Sequence, residues 1–304
     1  MPVIILSNLK GGVAKTTSAV AIAECLASRG KRTLLIDADH QCMSGELLLG
    51  EGRQLRCENT RRTLHDLLAA MLDEEFSPDR FGAFVADRAS NIGGGLETLS
   101  VLPCSIRVDD FSTNMAKARR GHGSNEEFLR VLNRRRAQLK RWLAGEYEYV
   151  IVDCPPSIAL QVQVLMPVAD CYVVPSIPDR LSVRGSLYLL DRIRAKGYAT
   201  QPLGTLWTLY RSAVTLHNRI IKAVRSGRPP YDRLPKPFET IIPNAAAIAN
   251  ATEPGQAPKT FAQKYGFPFA GYFEALCDEM MARLRVLPGD ATVRAAAEAA
   301  PTAV

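Results

Sequence analysis

The eight residues Lys10-Gly11-Gly12-Val13-Ala14-Lys15-Thr16-Thr17 limit what this 304-residue chain can fold into more than any other stretch. Adjacent glycines let several backbone N–H groups turn inward around an anion, and a lysine and a hydroxyl complete a cradle for phosphate and a divalent cation. Such a cradle needs a strand before it and a helix after it. Val3 to Leu6 is a short apolar run that predicts a buried strand. Lys15 to Ser28, rich in Ala with Val20, Ile22 and Leu26, predicts the helix, and Gly30 stops it before a second buried strand, Thr33 to Ile36.

Further β-branched runs follow at Tyr149 to Val152, Cys171 to Val174 and Leu203 to Leu209, with helical patterns between them. The alternation predicts an α/β fold, a mainly parallel twisted sheet covered by helices on both faces, with ligands beyond the carboxyl ends of the strands. We expect one domain over residues 1–287, with a less regular insertion at about 50–145. That insertion holds a helix from Thr63 to Leu72, the loop Gly93-Gly94-Gly95 and a strand around Leu99 to Leu102. Phe273 to Leu287 places Phe273, Leu276, Cys277, Met280, Leu284 and Leu287 on one side, as a helix docked on the core requires. An Ala-rich tail, 288–304, comes last.

With 47% hydrophobic and 23% charged residues, the chain falls outside the disordered and fibrous classes. Seven scattered cysteines without a C-x-x-C pair argue against a disulfide framework or a zinc site. No secretion signal and no run of eighteen apolar residues is found, so a reducing cytoplasm is the expected location.

The general pattern G-x-x-x-x-G-K-[ST] is not met, because Leu9 and Ala14 stand at its two glycine positions, and Lys10 is an added lysine. On these residues the sequence resembles the deviant Walker A family, the ParA, Soj and MinD ATPases, whose pattern reads K-G-G-x-x-K-T-[ST]. The resemblance implies a P-loop NTPase that takes ATP and Mg²⁺ and closes into an ATP-dependent sandwich homodimer. Lys10 then reaches the partner copy's phosphates and Lys15 holds the β- and γ-phosphates of its own nucleotide. Gly11, Gly12 and Val13 present backbone donors, Ala14 and Thr17 complete the loop, and Thr16 carries the hydroxyl for Mg²⁺.

Other segments extend the likeness. Leu34-Leu35-Ile36-Asp37-Ala38-Asp39 ends a strand with two carboxylates, of which Asp37 matches the one beside the Mg²⁺ shell and Asp39 the one that positions the attacking water. Tyr149-Val150-Ile151-Val152-Asp153 matches Walker B, where the aspartate holds Mg²⁺ through water. Pro155-Pro156-Ser157 continues the switch-like segment, and Thr240-Ile241-Ile242-Pro243 matches the late segment whose proline lies near adenine. The chain departs from the pattern at His40, Val164, Arg211 and Ala213, where the family has proline, asparagine, aspartate and arginine. These departures bear on hydrolysis and on the usual DNA contact.

The chain carries a formal net charge of +7, which points to a polyanionic partner. From Arg192 to Lys236 there are ten Lys or Arg and only one acid, Asp232. On a helix expected near Leu216 to Ser226, Arg219, Lys222 and Arg225 share one side, opposite Ile220, Ile221 and Val224. That arrangement suits nonspecific DNA binding, which the resemblance implies for the ATP state; a solvated face is the alternative. A second cluster, Arg134, Arg135, Arg136, Lys140 and Arg141, on a helix from Glu126 to Leu143, reads as exposed structural charge.

The expected function is an ATPase switch that associates with the nucleoid and segregates or positions plasmid or chromosome DNA, or other cargo, with a ParB-like or other cargo-linked partner stimulating hydrolysis. One alternative is a MinD-like membrane-cycling ATPase, which needs a basic amphipathic end, whereas Asp290 to Val304 offers a single basic residue, Arg294. The other is a nitrogenase-reductase-like iron–sulfur protein, for which Cys104 and Cys154 form the plausible pair.

Overall fold

The computed structural model describes residues 1–287 apart from Pro254 and Gln256; the tail from 288 lies outside the described residues, and the expectation for it with them. Seven strands form one sheet, with every pairing parallel. They are β1 (Val3–Leu6), β2 (Thr33–Asp37), β3 (Leu99–Leu102), β4 (Tyr149–Asp153), β5 (Cys171–Ser176), β6 (Gln201–Tyr210) and β7 (Pro237–Pro243), in the order β3-β2-β4-β1-β5-β6-β7. The chain runs outward from β1 on one side through β2 and β3, then returns to build the other side. β1 therefore lies at the switch point where an open α/β sheet leaves a crevice for ligands.

Twelve α-helices accompany the strands among the described residues: α1 (Lys15–Ser28), α2 (Met43–Leu49), α3 (Glu51–Asn59), α4 (Leu64–Met71), α5 (Phe111–Gly121), α6 (Asn125–Glu146), α7 (Leu160–Leu165), α8 (Arg180–Ala195), α9 (Thr215–Arg225), α10 (Ala246–Asn250), α11 (Phe261–Tyr265) and α12 (Phe269–Val286). Successive strand residues alternate between the two faces of the sheet, and here both faces are covered. Val3 and Ile5 join a core with side chains of α4 and α6 to α9, while Ile4 and Leu6 join a second core with α1, α11 and α12. The central strands are thus apolar throughout, as their sequences required.

β1, α1 and β3 have the expected bounds, and β2 and β4 run one residue further, to Asp37 and Asp153. The helix expected from Phe273 starts four residues earlier, at Phe269, and buries Phe273, Leu276, Cys277 and Met280.

Of the cationic cluster on α6, Arg134 and Arg141 are exposed as the sequence suggested, but Arg135, Arg136 and Lys140 are not. Arg135 is buried, and its guanidinium donates to the carbonyls of Asp73, Glu74 and Phe76 at 2.7–2.9 Å. Arg136 donates to the carbonyls of Gln163 and Val164, and Lys140 pairs with Asp170 at 2.7 Å. These side chains satisfy backbone acceptors and an acid on neighbouring segments, because a carbonyl left without a donor in a packed interior is costly.

Candidate active site

The sheet register assembles the site. Leu6 stands beside Asp153, and Asp153 beside Asp37, so the loop after β1 and both strand-end carboxylates emerge together. Gly12 has φ +71° and Ala14 φ +55°, so the loop enters α1 through left-handed backbone at two points. Ala14 pays the steric cost that a glycine there avoids. No side chain caps α1, and a methyl group added at Gly11 or Gly12 would meet nothing within 4 Å. The loop thus presents uncapped helix amides to open space, the arrangement that binds phosphate.

Lys15 is buried beneath the loop, where its ammonium donates to the carbonyl of Lys10 at 3.2 Å. Burial lowers its pKa, against the pull of Asp153 and Asp39. Lys10 is exposed, and Thr16 and Thr17 are half-buried at the start of α1. Asp153 is fully buried, and neither carboxylate oxygen has a hydrogen-bond partner. Burial pushes its pKa up to about 7, with Asp39 adding to the rise. Asp37 is pushed up to about 8 by burial and then by Asp153. Its oxygens accept from the N–H groups of Asp39 at 3.1 Å and Gly45 at 2.8 Å, so Asp37 also braces the turn that carries Asp39. Asp39 is half-buried, with His40 Nδ1 3.6 Å from its carboxylate.

A buried carboxylate without a hydrogen-bond partner, beside a lysine and a hydroxyl, has the chemistry to hold a cation. Among the described residues no three acidic, histidine or cysteine side chains converge as a metal cage, so a cation held by Asp153 and Thr16 would take most of its ligands from phosphate and water. That donor set suits Mg²⁺, which keeps several waters and takes few protein ligands.

Beyond the ends of β6 and β7 opens a cleft of about 940 Å³, lined among others by Arg211, Pro243, Asn244, Gly271 and Tyr272. Pro243 lines this cleft. The residues that anchor the loop and the Asp39 turn were not singled out from the sequence. Thr208 Oγ1 donates to the carbonyl of Val13 at 3.0 Å, pinning the loop to β6. Asn8 accepts from the N–H of Lys10 and donates to Pro175 and Ser186, pinning it to β5 and α8. Gln161 Nε2 donates to the carbonyl of Ala38, holding α7 against the Asp39 turn. A polar residue near a strand end was the signal for Asn8 and Thr208, and Gln161, on α7, offered none.

Arg219, Lys222 and Arg225 lie apart from this site, exposed on α9, while Ile220, Ile221 and Val224 are buried beneath them. Arg225 pairs with Glu239 at 3.0 Å. The iron–sulfur candidates Cys104 and Cys154 are both fully buried, whereas a cluster shared between subunits needs cysteines at the surface.

A family profile described as "AAA domain" matches residues 1–201. The chromosome partitioning protein ParA of Caulobacter vibrioides is 30% identical over 262 residues, covering 84% of this chain and 85% of that protein. The chain belongs to the ParA family. The sporulation initiation inhibitor protein Soj of Bacillus subtilis is 28% identical, over 84% of this chain and 88% of that one. Among solved structures, apo McdA of Cyanothece superposes with a TM-score of 0.66 at 19% identity, covering 93% of this chain and 99% of that one. Cobyrinic acid a,c-diamide synthase of Mycobacterium smegmatis, with bound ADP and magnesium, superposes with a TM-score of 0.61 at 24% identity, covering 94% and 96%. These two likenesses establish the sheet architecture for this ParA-family chain.

Proposed function

We propose that the chain is a Mg²⁺-dependent ATPase switch of the ParA type, in one domain over residues 1–287. The observation that carries this reading is the uncapped amino end of α1 set against a buried Lys15 and a partnerless buried Asp153. The loop amides of Gly11 to Thr17 and Lys15 hold the triphosphate, and Pro243 and the cleft beside it take the base. Thr16 and Asp153 hold Mg²⁺, with Asp37 bracing the shell. The ion, when bound, screens the phosphate charge that develops during transfer. Asp39 orients the attacking water, and Lys10, exposed at the mouth of the site, reaches the phosphates of a second copy.

ATP-driven closure of the homodimer presents the α9 faces to DNA. Tyr210 and the loop after it line the cleft, and Asn218 of α9 bonds both to Tyr210 Oη at 2.6 Å and to the carbonyl of Ser212 at 2.9 Å. A change at the nucleotide therefore has a direct route to the basic helix. Cargo is DNA or another large body, with a ParB-like or other cargo-linked protein stimulating hydrolysis in the cytoplasm. No described helix is long and apolar enough to cross a membrane, and membrane contact forms no part of this reading.

The test is ATP turnover with and without DNA in wild type, Lys15→Ala and Asp39→Ala. Lys15→Ala is expected to lose nucleotide binding, and Asp39→Ala to bind ATP but turn it over at least about 100-fold more slowly. Equal turnover in all three would remove the assigned roles.

A further inference from the structure

Two thiols meet at the turn that carries Asp39. β2 and β3 pair in register up to Ile36 and Leu102, and their continuations stay close beyond the sheet. A methyl group added at Gly45 would lie 3.2 Å from Pro103 Cβ. Cys104, next after Pro103, is fully buried beside the Cys42 thiol, and that neighbour together with burial raises its pKa well above the ordinary thiol value. Cys42 stands in left-handed backbone, φ +56°, at the entry to α2 and is half-buried. Its N–H donates to the carbonyl of Asp39 at 2.9 Å and its thiol to the carbonyl of His40 at 3.4 Å. On the other side, Gln54 Nε2 holds the carbonyl of Cys104 at 2.9 Å. One thiol thus rides on the Asp39 turn, and the other is anchored to the end of β3.

We propose that Cys42 and Cys104 are a reversible redox pair whose disulfide locks the Asp39 turn to β3 and slows hydrolysis. The functional consequence rests on the role given to Asp39 above. The oxidant is a peroxide. Cys42, the member of the pair that solvent reaches, attacks one peroxide oxygen as thiolate, the O–O bond breaks, and water leaves a sulfenic acid. The Cys104 thiol then attacks that sulfur, its proton passing to the departing hydroxyl, which leaves as a second water. Two thiols and one peroxide give one S–S bond and two waters, and a dithiol reverses the step by exchange.

The test treats the purified full chain with hydrogen peroxide, maps unreduced peptides by mass spectrometry, and follows amide exchange over residues 39–45 and ATP turnover. The expected result is a Cys42–Cys104 peptide pair, slower exchange in that turn, and turnover lowered at least about tenfold and restored by dithiothreitol. Cys104→Ser and Cys42→Ser are expected to be insensitive to the oxidant, and the half-buried Cys42 keeps this arm usable if the core variant fails to fold. A bridge that does not form, that links other cysteines, or that leaves exchange unchanged would overturn the proposal. Mapping and exchange need no nucleotide, so a failure of the ATPase reading is told apart by reduced wild type that turns over no ATP.

Discussion

Two runs of cations look alike in the sequence and behave oppositely in the fold. On α6, Arg135, Arg136 and Lys140 turn inward or sideways onto the carbonyls and the acid of neighbouring segments. On α9, Arg219, Lys222 and Arg225 face water, and Ile220, Ile221 and Val224 take the inner side. What separates them is the supply of acceptors nearby. The loop at Asp73 to Phe76 brings three backbone carbonyls to Arg135, whereas among the described residues the three cations of α9 meet only one exposed carboxylate, Glu239 on Arg225. Arg135, Arg136 and Lys140 on α6 are therefore taken up by the fold, while Arg219 and Lys222 on α9, and Arg225 beside its exposed partner Glu239, stay open to a ligand.

The largest expected effect breaks the α9 side of this contrast. Exchanging Arg219, Lys222 and Arg225 for Glu removes six cations from a dimer, and a phosphate contact of that size carries a log–log salt slope of about −5. ATP-dependent DNA affinity is expected to fall at least about 1000-fold at moderate salt, with nucleotide affinity unchanged. Because the positions are exposed, the unfolding free energy should move by no more than about 0.5 kcal/mol. Undiminished retention on DNA would take this face out of the mechanism.

Arg135→Ala attacks the other side. The buried carbonyl of Phe76 and the part-buried carbonyls of Asp73 and Glu74 lose their donor, for an expected loss of about 2 kcal/mol in urea unfolding and no change in DNA retention. A loss under about 0.5 kcal/mol would mean that water replaces the guanidinium and that the two clusters differ less than their hydrogen bonds suggest.

This contrast also marks what was legible in the sequence. β1, α1 and β3 came out at their expected bounds because strands buried on both faces are apolar throughout and Gly30 ends the helix. β7 was read only as a matching segment, since Pro237, Glu239 and Pro243 break its pattern and its pairing with β6 is irregular, as an edge strand tolerates. Within the site, the phosphate loop could be read residue by residue, because glycine and lysine identity dictates what that backbone does. The anchors Thr208, Asn8 and Gln161 could not, because each meets a partner 123 to 195 residues away in the chain. The fate of Arg135 was hidden for the same reason: its partners lie about 60 residues off.

Asp37 and Asp153 extend the contrast to buried acids. Burial holds them up at about 8 and about 7, above the ordinary 3.8, so the folded chain keeps protons that the unfolded chain releases. Their contribution to stability is fully present below about pH 4 and is lost as pH rises through 7 and 8, by up to about 1.4 kcal/mol per proton and pH unit. Nucleotide-free protein should melt progressively lower from pH 5 to 8, and Asp153→Asn should flatten that decline. Mg²⁺ requires the deprotonated carboxylate, so affinity for Mg-ATP should rise over the same window. A wild-type melting profile that matches Asp153→Asn would remove the buried proton from the account.

The smallest effect tests where the free cations of α9 end. Arg225 already has a partner, Glu239 at 3.0 Å, but the two side chains are 49% and 75% exposed. Water screens such a pair, and it is worth no more than about 0.5 kcal/mol, so Glu239→Gln should leave the melting temperature nearly unchanged. DNA feels the change more than the fold does, because the variant releases one guanidinium and deletes a negative charge beside it. Affinity should rise by about two- to fivefold, and the salt slope should steepen by about 0.9 for each phosphate that Arg225 newly engages. If affinity rises while the slope stays put, Glu239 acts only through its field, and the DNA contact is confined to Arg219 and Lys222. If neither moves, Arg225 belongs with the arginines of α6, held by the protein for its own structure.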